Sequence, residues 1–177
     1  MNKTDTKILE QKASIYLYTQ GTKFICKRFV GAGYAEMDIL KVTGSDYMYE
    51  YEIKSSKADF LSEKKNFNRK KAKQKYYKHK MMHESFVDKD IKNKRRKTSY
   101  IPNKFYFICP EGLIKPKEIR KYQGLIYMDD MYNFKIIKEA KFLHKNKISL
   151  KALYRVVKTL SERDMFDGKS KFYYDRC

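Results

Sequence analysis

No apolar run in this chain approaches the ~20 residues that a membrane-spanning helix needs. The polar opening Met1-Asn2-Lys3-Thr4-Asp5 lacks the apolar stretch of a secretory signal. Both absences predict a cytoplasmic protein with no membrane partner. Cysteine is scarce and odd in number, three in all: Cys26, Cys109 and Cys177, with no Cys-x-x-Cys pair. That argues against a disulfide framework. Cys26 and Cys109 sit in apolar, strand-like runs and read as small core residues. Of the histidines, His79 and His83 form an i,i+4 pair, but no further ligand lies nearby in sequence, so the pair reads as partly exposed and phosphate-facing rather than as a zinc site. Glycine is sparse too. Gly31-Ala32-Gly33 is not followed by Gly-Lys-Ser/Thr, which excludes a phosphate cradle and leaves a turn or bulge. Internal repeats and linkers are absent, so residues 1–177 read as one domain, long enough for a real core. Acidic residues are outnumbered: 21 Asp and Glu face 41 Lys and Arg, a net charge of +20. A charge of that size speaks of partners and not of fold, and the natural partner is a nucleic acid.

Hydrophobic periodicity orders the elements. Residues 4–20 predict a helix, with Ile8, Leu9, Ile15 and Tyr16 at helical spacing, Thr4 or Thr6 as its cap and Gly21 as its stop. Phe24–Phe29 predicts a strand. A long helix over about 57–82 follows a cap at Ser55-Ser56, with Phe60, Leu61, Phe67, Ala72 and Tyr76 inward and a dense lysine face outward. Met81–Tyr100, with Lys92-Asn93-Lys94-Arg95-Arg96-Lys97, reads as a basic, mobile insertion centred on about 82–100. Lys104–Cys109 is an aromatic strand fit for a sheet centre, Pro116–Lys121 a short helix, and Gln123–Met128 and Phe134–Lys138 further strands. Ser149 caps a last helix to about Arg163, with Leu150, Leu153, Val156, Val157 and Leu160 inward. The fold class is α/β: a single domain with a central mixed sheet flanked by helices.

The chemistry gathers in Ala35-Glu36-Met37-Asp38-Ile39-Leu40 and Tyr51-Glu52-Ile53-Lys54. On an extended strand Glu52 and Lys54 share one face while Ile53 points away. The turn cluster Thr43-Gly44-Ser45-Asp46 separates the two strands; centred on Gly44 or Ser45, it sets Asp38 opposite Tyr51 or Glu52. Two carboxylates and one ammonium then converge. Mg²⁺ takes oxygen ligands of this kind, usually one or two protein carboxylates with water and substrate phosphate. Glu36, two residues before Asp38, is a candidate third carboxylate.

Asp…Glu-x-Lys in this setting resembles the PD-(D/E)XK nuclease superfamily, over roughly residues 1–140. The helix-then-strand lead-in, Lys54-Ser55-Ser56 with Asp59-Phe60, the strand Phe105–Cys109 and Pro110-Glu111-Gly112-Leu113-Ile114 look like small bacterial and phage DNA-repair nucleases of that group. Met37 stands where the motif has proline, and Gln74-Lys75-Tyr76-Tyr77 is one residue short of the exonuclease Gln-x-x-x-Tyr. The resemblance implies an αβββαβ core and metal-dependent hydrolysis of DNA. It makes Asp38, Glu52 and the carbonyl of Ile53 the holders of Mg²⁺ or Mn²⁺, with Lys54 positioning water and phosphate. Glu10, on the first helix, matches the place of an auxiliary acid. Ser56, Lys70, Lys71, Lys73, Lys75, Lys78, Arg95 and Arg96 are the expected phosphate contacts.

Three alternatives accompany this reading. Asp38, Glu52 and Lys54 could line a solvated hairpin, pairing across strands for roughly a few tenths of a kcal/mol. The +20 charge and 16 tyrosines also suit a non-catalytic nucleic-acid-binding protein. RNA would serve the same chemistry as DNA. A homodimer is compatible with all of them.

Overall fold

The computed structural model describes residues 6–31, 35–65, 70–87 and 100–165, without the side chains of residues 63–65, 70–73 and 164. Helix α1 (Thr6–Tyr18) leads into strands β1 (Thr22–Phe29), β2 (Met37–Thr43) and β3 (Met48–Ile53). Helices α2 (Lys57–Lys65) and α3 (Lys70–Val87) precede β4 (Lys104–Pro110). Strands β5 (Gly124–Met128) and β6 (Phe134–Lys138) and helix α4 (Leu150–Met165) complete the chain. Among the described residues the six strands form one sheet in the order β1-β2-β3-β4-β5-β6. The first three make an antiparallel meander, β4 and β5 add in parallel, and β6 closes antiparallel. The expected single α/β domain with a mixed sheet between helices is the architecture observed, with two helices, α2 and α3, standing between β3 and β4 where one was expected.

Helices cover both faces, which is why β4 reads as the unbroken apolar run Phe105–Cys109 rather than as an alternation. On one face α1 buries Leu9, Ala13 and Leu17 against Ile39, Tyr51, Ile53, Ile108 and Ile126. On the other, Phe60, Met82 and Val156 from α2, α3 and α4 pack on Leu40, Val42, Phe105, Phe107 and Leu125. The stripe at i, i+4 and i+8 therefore decides the orientation of α1. Ile8 and Ile15, expected inward, are 40% and 57% exposed. Gly21 ends the helix with φ of +63°, a conformation that costs glycine least. Buried Lys41 donates to the carbonyls of Leu17 (3.3 Å) and Gln20 (2.6 Å), satisfying acceptors the helix end leaves open.

Several expectations change. The long basic helix is two helices, α2 and α3, and α3 continues to Val87 where a loop was expected. The rest of that loop, including Arg95 and Arg96, lies outside the described residues, as do Phe67, Cys177 and the side chains of Ala72, Lys70, Lys71 and Lys73. Tyr76 is 41% exposed rather than inward. Pro116–Glu118 forms a single 3₁₀ turn. In α4, Ala152 and Val156 face the core, while Leu150 and Val157 are 85% and 43% exposed. Ser149 does cap that helix, its Oγ accepting from the Ala152 amide at 3.2 Å. His79 is half-buried and meets the Phe105 ring edge-on, while His83 is exposed and stacks on Tyr122. Cys26 and Cys109 are buried, as expected.

A buried polar knot, with no counterpart in the sequence reading, ties β3 to β4. Fully buried Asn103 accepts from the Met48 amide at 2.7 Å and donates to the carbonyls of His144 (2.9 Å) and Asn146 (2.8 Å). His144 Nδ1 accepts from the Asn146 amide at 3.2 Å, which leaves the proton on Nε2 facing the Ile101 carbonyl at 2.9 Å. Burial holds the His144 pKa below its usual 6.5, with the Ile101 contact opposing. The neutral ring therefore supports the fold fully above pH 6.5, and that support is lost as the pH falls below it. Melting curves of wild type and His144→Gln from pH 8 to pH 5 should converge towards low pH as wild type loses its advantage. A difference independent of pH would refute the buried neutral ring.

Candidate active site

The turn determines the geometry of the site. The amide of Asp46 donates to the Thr43 carbonyl at 3.0 Å, and Asp46, not Gly44, takes the positive φ of +65°. The resulting register pairs Val42 with Met48 and Ile39 with Tyr51. One step further along this ladder Asp38 stands opposite Glu52, the second of the two registers expected. Asp38 Oδ2 accepts from the Ile53 amide at 2.8 Å, which fixes its carboxylate against β3. The Lys54 amide donates to the Ile108 carbonyl at 2.9 Å, extending the parallel ladder onto β4 and holding the Lys54 side chain beside Glu52.

Alternation along β3 puts Met48, Glu50 and Glu52 on the face covered by α3, and both glutamates are fully buried. Carboxylates in such a place must be paired. Lys54 Nζ lies 3.2 Å from Glu52 Oε1, and Lys75 Nζ contacts the same oxygen. Lys78 Nζ lies 3.0 Å from Glu52 Oε2 and 2.6 Å from Glu50 Oε1. At the rim, half-exposed Asp59 stands 3.8 Å from Lys54. Burial alone would raise the Glu52 pKa, but Lys78, Lys54 and Lys75 outweigh it and hold the carboxylate well below its usual range. Asp38 goes the other way. Burial and the Glu52 charge push it up to about 7, against the Ile53 amide, Lys75 and Lys54. Burial likewise raises Glu50 to about 7 despite Lys78. Lys78 itself is held charged, its two glutamates overcoming burial.

Asp38, Glu52 and Lys54 thus come together as the sequence predicts. Other candidates do not join them in the expected way. Lys78 is fully buried between two glutamates, and Lys75 is turned inward onto Glu52. Glu36 is exposed, and its backbone carbonyl, not its carboxylate, meets Lys78 at 3.5 Å. Glu10 is drawn to Lys27 (4.0 Å) and Arg28 (3.6 Å) of β1. Ser56 caps α2, accepting from the Asp59 amide at 3.2 Å. Among the described residues no group of three or more His, Cys, Asp or Glu side chains is arranged to hold a metal ion. Asp38 and Glu52 therefore stand as a pair, within the one or two carboxylates that Mg²⁺ commonly takes. Glu50 and the inward roles of Lys75 and Lys78 escaped the sequence reading. The usable signal was the i,i+2 pair Glu50 and Glu52 on one strand face, which needs counter-charges once that face is covered.

No family model matches the chain, and no curated protein matches it. A solved structure, a protein of unknown function from Silicibacter pomeroyi, superposes with a TM-score of 0.56 over 94% of this chain and 94% of its own, at 14% sequence identity. That likeness concerns the fold. Among the described residues no helix is long and apolar enough to cross a membrane.

Proposed function

We propose that this protein is a divalent-metal-dependent nuclease acting on DNA. The observation that carries the reading is the meeting of Asp38 and Glu52 across adjacent strands, with Lys54 at 3.2 Å from the Glu52 carboxylate. A solvated hairpin would not place Glu52 and Lys54 at 0% and 1% exposure. The donor set fits Mg²⁺ or Mn²⁺, with Asp38 and Glu52 as the holders; bound there, such an ion supplies activated water and charge neutralisation at the phosphate. Glu52 is kept ionised by its lysines, and Asp38 is oriented by the Ile53 amide. Lys54 holds the water or the phosphate oxygen, because its ladder position fixes the stem while its ammonium stays with the carboxylates. The +20 charge favours a polyanionic substrate.

One observation favours a second reading. Glu52 already carries three lysine contacts, as a purely structural ion-pair network would. The protein would then bind nucleic acid without cutting it.

Incubation with linear, single-stranded and branched DNA, and with RNA, separates these readings. Cleavage of DNA with Mg²⁺ or Mn²⁺ and none with EDTA is expected. Retention of all substrates uncut, with tight binding, would establish the second reading. Cleavage confined to RNA would reassign the substrate.

A further inference from the structure

The three lysines around Glu52 differ in their access to solvent. The side chains of Lys54 and Lys78 are 1% and 0% exposed, whereas that of Lys75 is 29% exposed. Lys78 is held by Glu50 and Glu52 together and by the Glu36 carbonyl. Lys75 reaches in from α3 to the Glu52 oxygen that Lys54 also touches, and its charge acts on Asp38 as well. An ammonium so placed, on the Glu52 carboxylate and with its charge felt by Asp38, does for them part of what a small cation would.

We propose that Lys75 is a tethered stand-in for the divalent cation: it neutralises the carboxylates when no metal is bound and leaves Glu52 for solvent when metal binds. This inference rests on the nuclease reading and adds an exchange step to it. Charge repulsion favours the exchange. Three ammoniums, those of Lys54, Lys75 and Lys78, already surround Glu52, and a divalent ion added beside them at a site of low dielectric is strongly unfavourable. Release of Lys75 removes one of those positive charges, and the negative charge of a phosphodiester offsets another. Metal and nucleic acid should therefore bind more tightly together than apart. Lys78 cannot serve as the released group, because withdrawing it would leave Glu50 buried without that partner.

Two measurements test the exchange. In wild-type protein, amine acetylation mapped by mass spectrometry should label Lys75 several-fold faster at saturating Mg²⁺ than in EDTA, with Lys78 protected in both. Calorimetric titration with Mn²⁺ should show binding that Asp38→Asn loses and that Lys75→Met tightens by about tenfold or more, the scale of one removed ammonium. If wild type binds Mn²⁺ but Lys75 labelling is unchanged, the exchange is overturned and the nuclease reading stands. Equal or weaker binding by a folded Lys75→Met has the same consequence. If neither wild type nor Lys75→Met binds Mn²⁺, both fall. The labelling arm uses the natural chain and so decides the matter even if the variant does not fold.

Discussion

Asp38→Asn is expected to abolish metal-dependent cleavage, by at least about 10³-fold, as loss of a single essential group commonly does, while raising the melting temperature at pH 8. The two effects have one cause. Burial and the neighbouring Glu52 charge lift the Asp38 pKa from 3.8 to about 7. The carboxyl is therefore comfortable in the fold when protonated, below pH 3.8, and that comfort is lost as the pH rises through 7. A shift of this size corresponds to an upper bound on the order of 4 kcal/mol. The asparagine amide keeps part of the desolvation cost, so a gain of about 1–2 kcal/mol is expected, or roughly 2–8 °C in Tm for a chain of this length. The gain should vanish near pH 4. Thermal melts at pH 8 and pH 4, run beside the cleavage assay, read both. A variant that is inactive and also less stable at pH 8 would mean that Asp38 belongs to the scaffold and not to a strained functional site.

Lys78→Met is expected to be the most damaging single change in the cluster for stability. It removes the ammonium that lies 2.6 Å from Glu50 and 3.0 Å from Glu52, both fully buried. Breaking a buried pair by deleting one partner costs about 3–5 kcal/mol, because the other charge stays buried and uncompensated. Urea unfolding should show that loss, with a Tm drop on the order of 10 °C. Glu50→Gln combined with Lys78→Met should recover part of it, since fewer orphaned charges remain. A loss below about 1 kcal/mol would show that water reaches these carboxylates. The same reasoning makes Glu52→Gln an unsuitable probe of chemistry alone: it disturbs the partners of three lysines as well as the proposed metal site.

The sequence by itself narrowed the partner of Asp38 to Tyr51 or Glu52 and put Glu52 and Lys54 on one face. That much rests on local information: two strand-forming runs joined by a short turn, and the period of two along a strand. The stop at Gly21, the cap at Ser149 and the apolar β4 were legible for the same reason, since each depends on neighbours a few positions away. Only the tertiary structure decided which lysines of α3 turn inward. Lys70, Lys71, Lys73, Lys75, Lys78 and Lys80 are chemically alike and spread around the helix, so periodicity alone does not choose among them. The choice is made by packing α3 over β3, which takes Glu50 and Glu52 out of water and makes pairing with Lys75 and Lys78 cheaper than leaving those carboxylates alone. Chain-distant charges pair through desolvation, and desolvation exists only once the helix has covered the sheet.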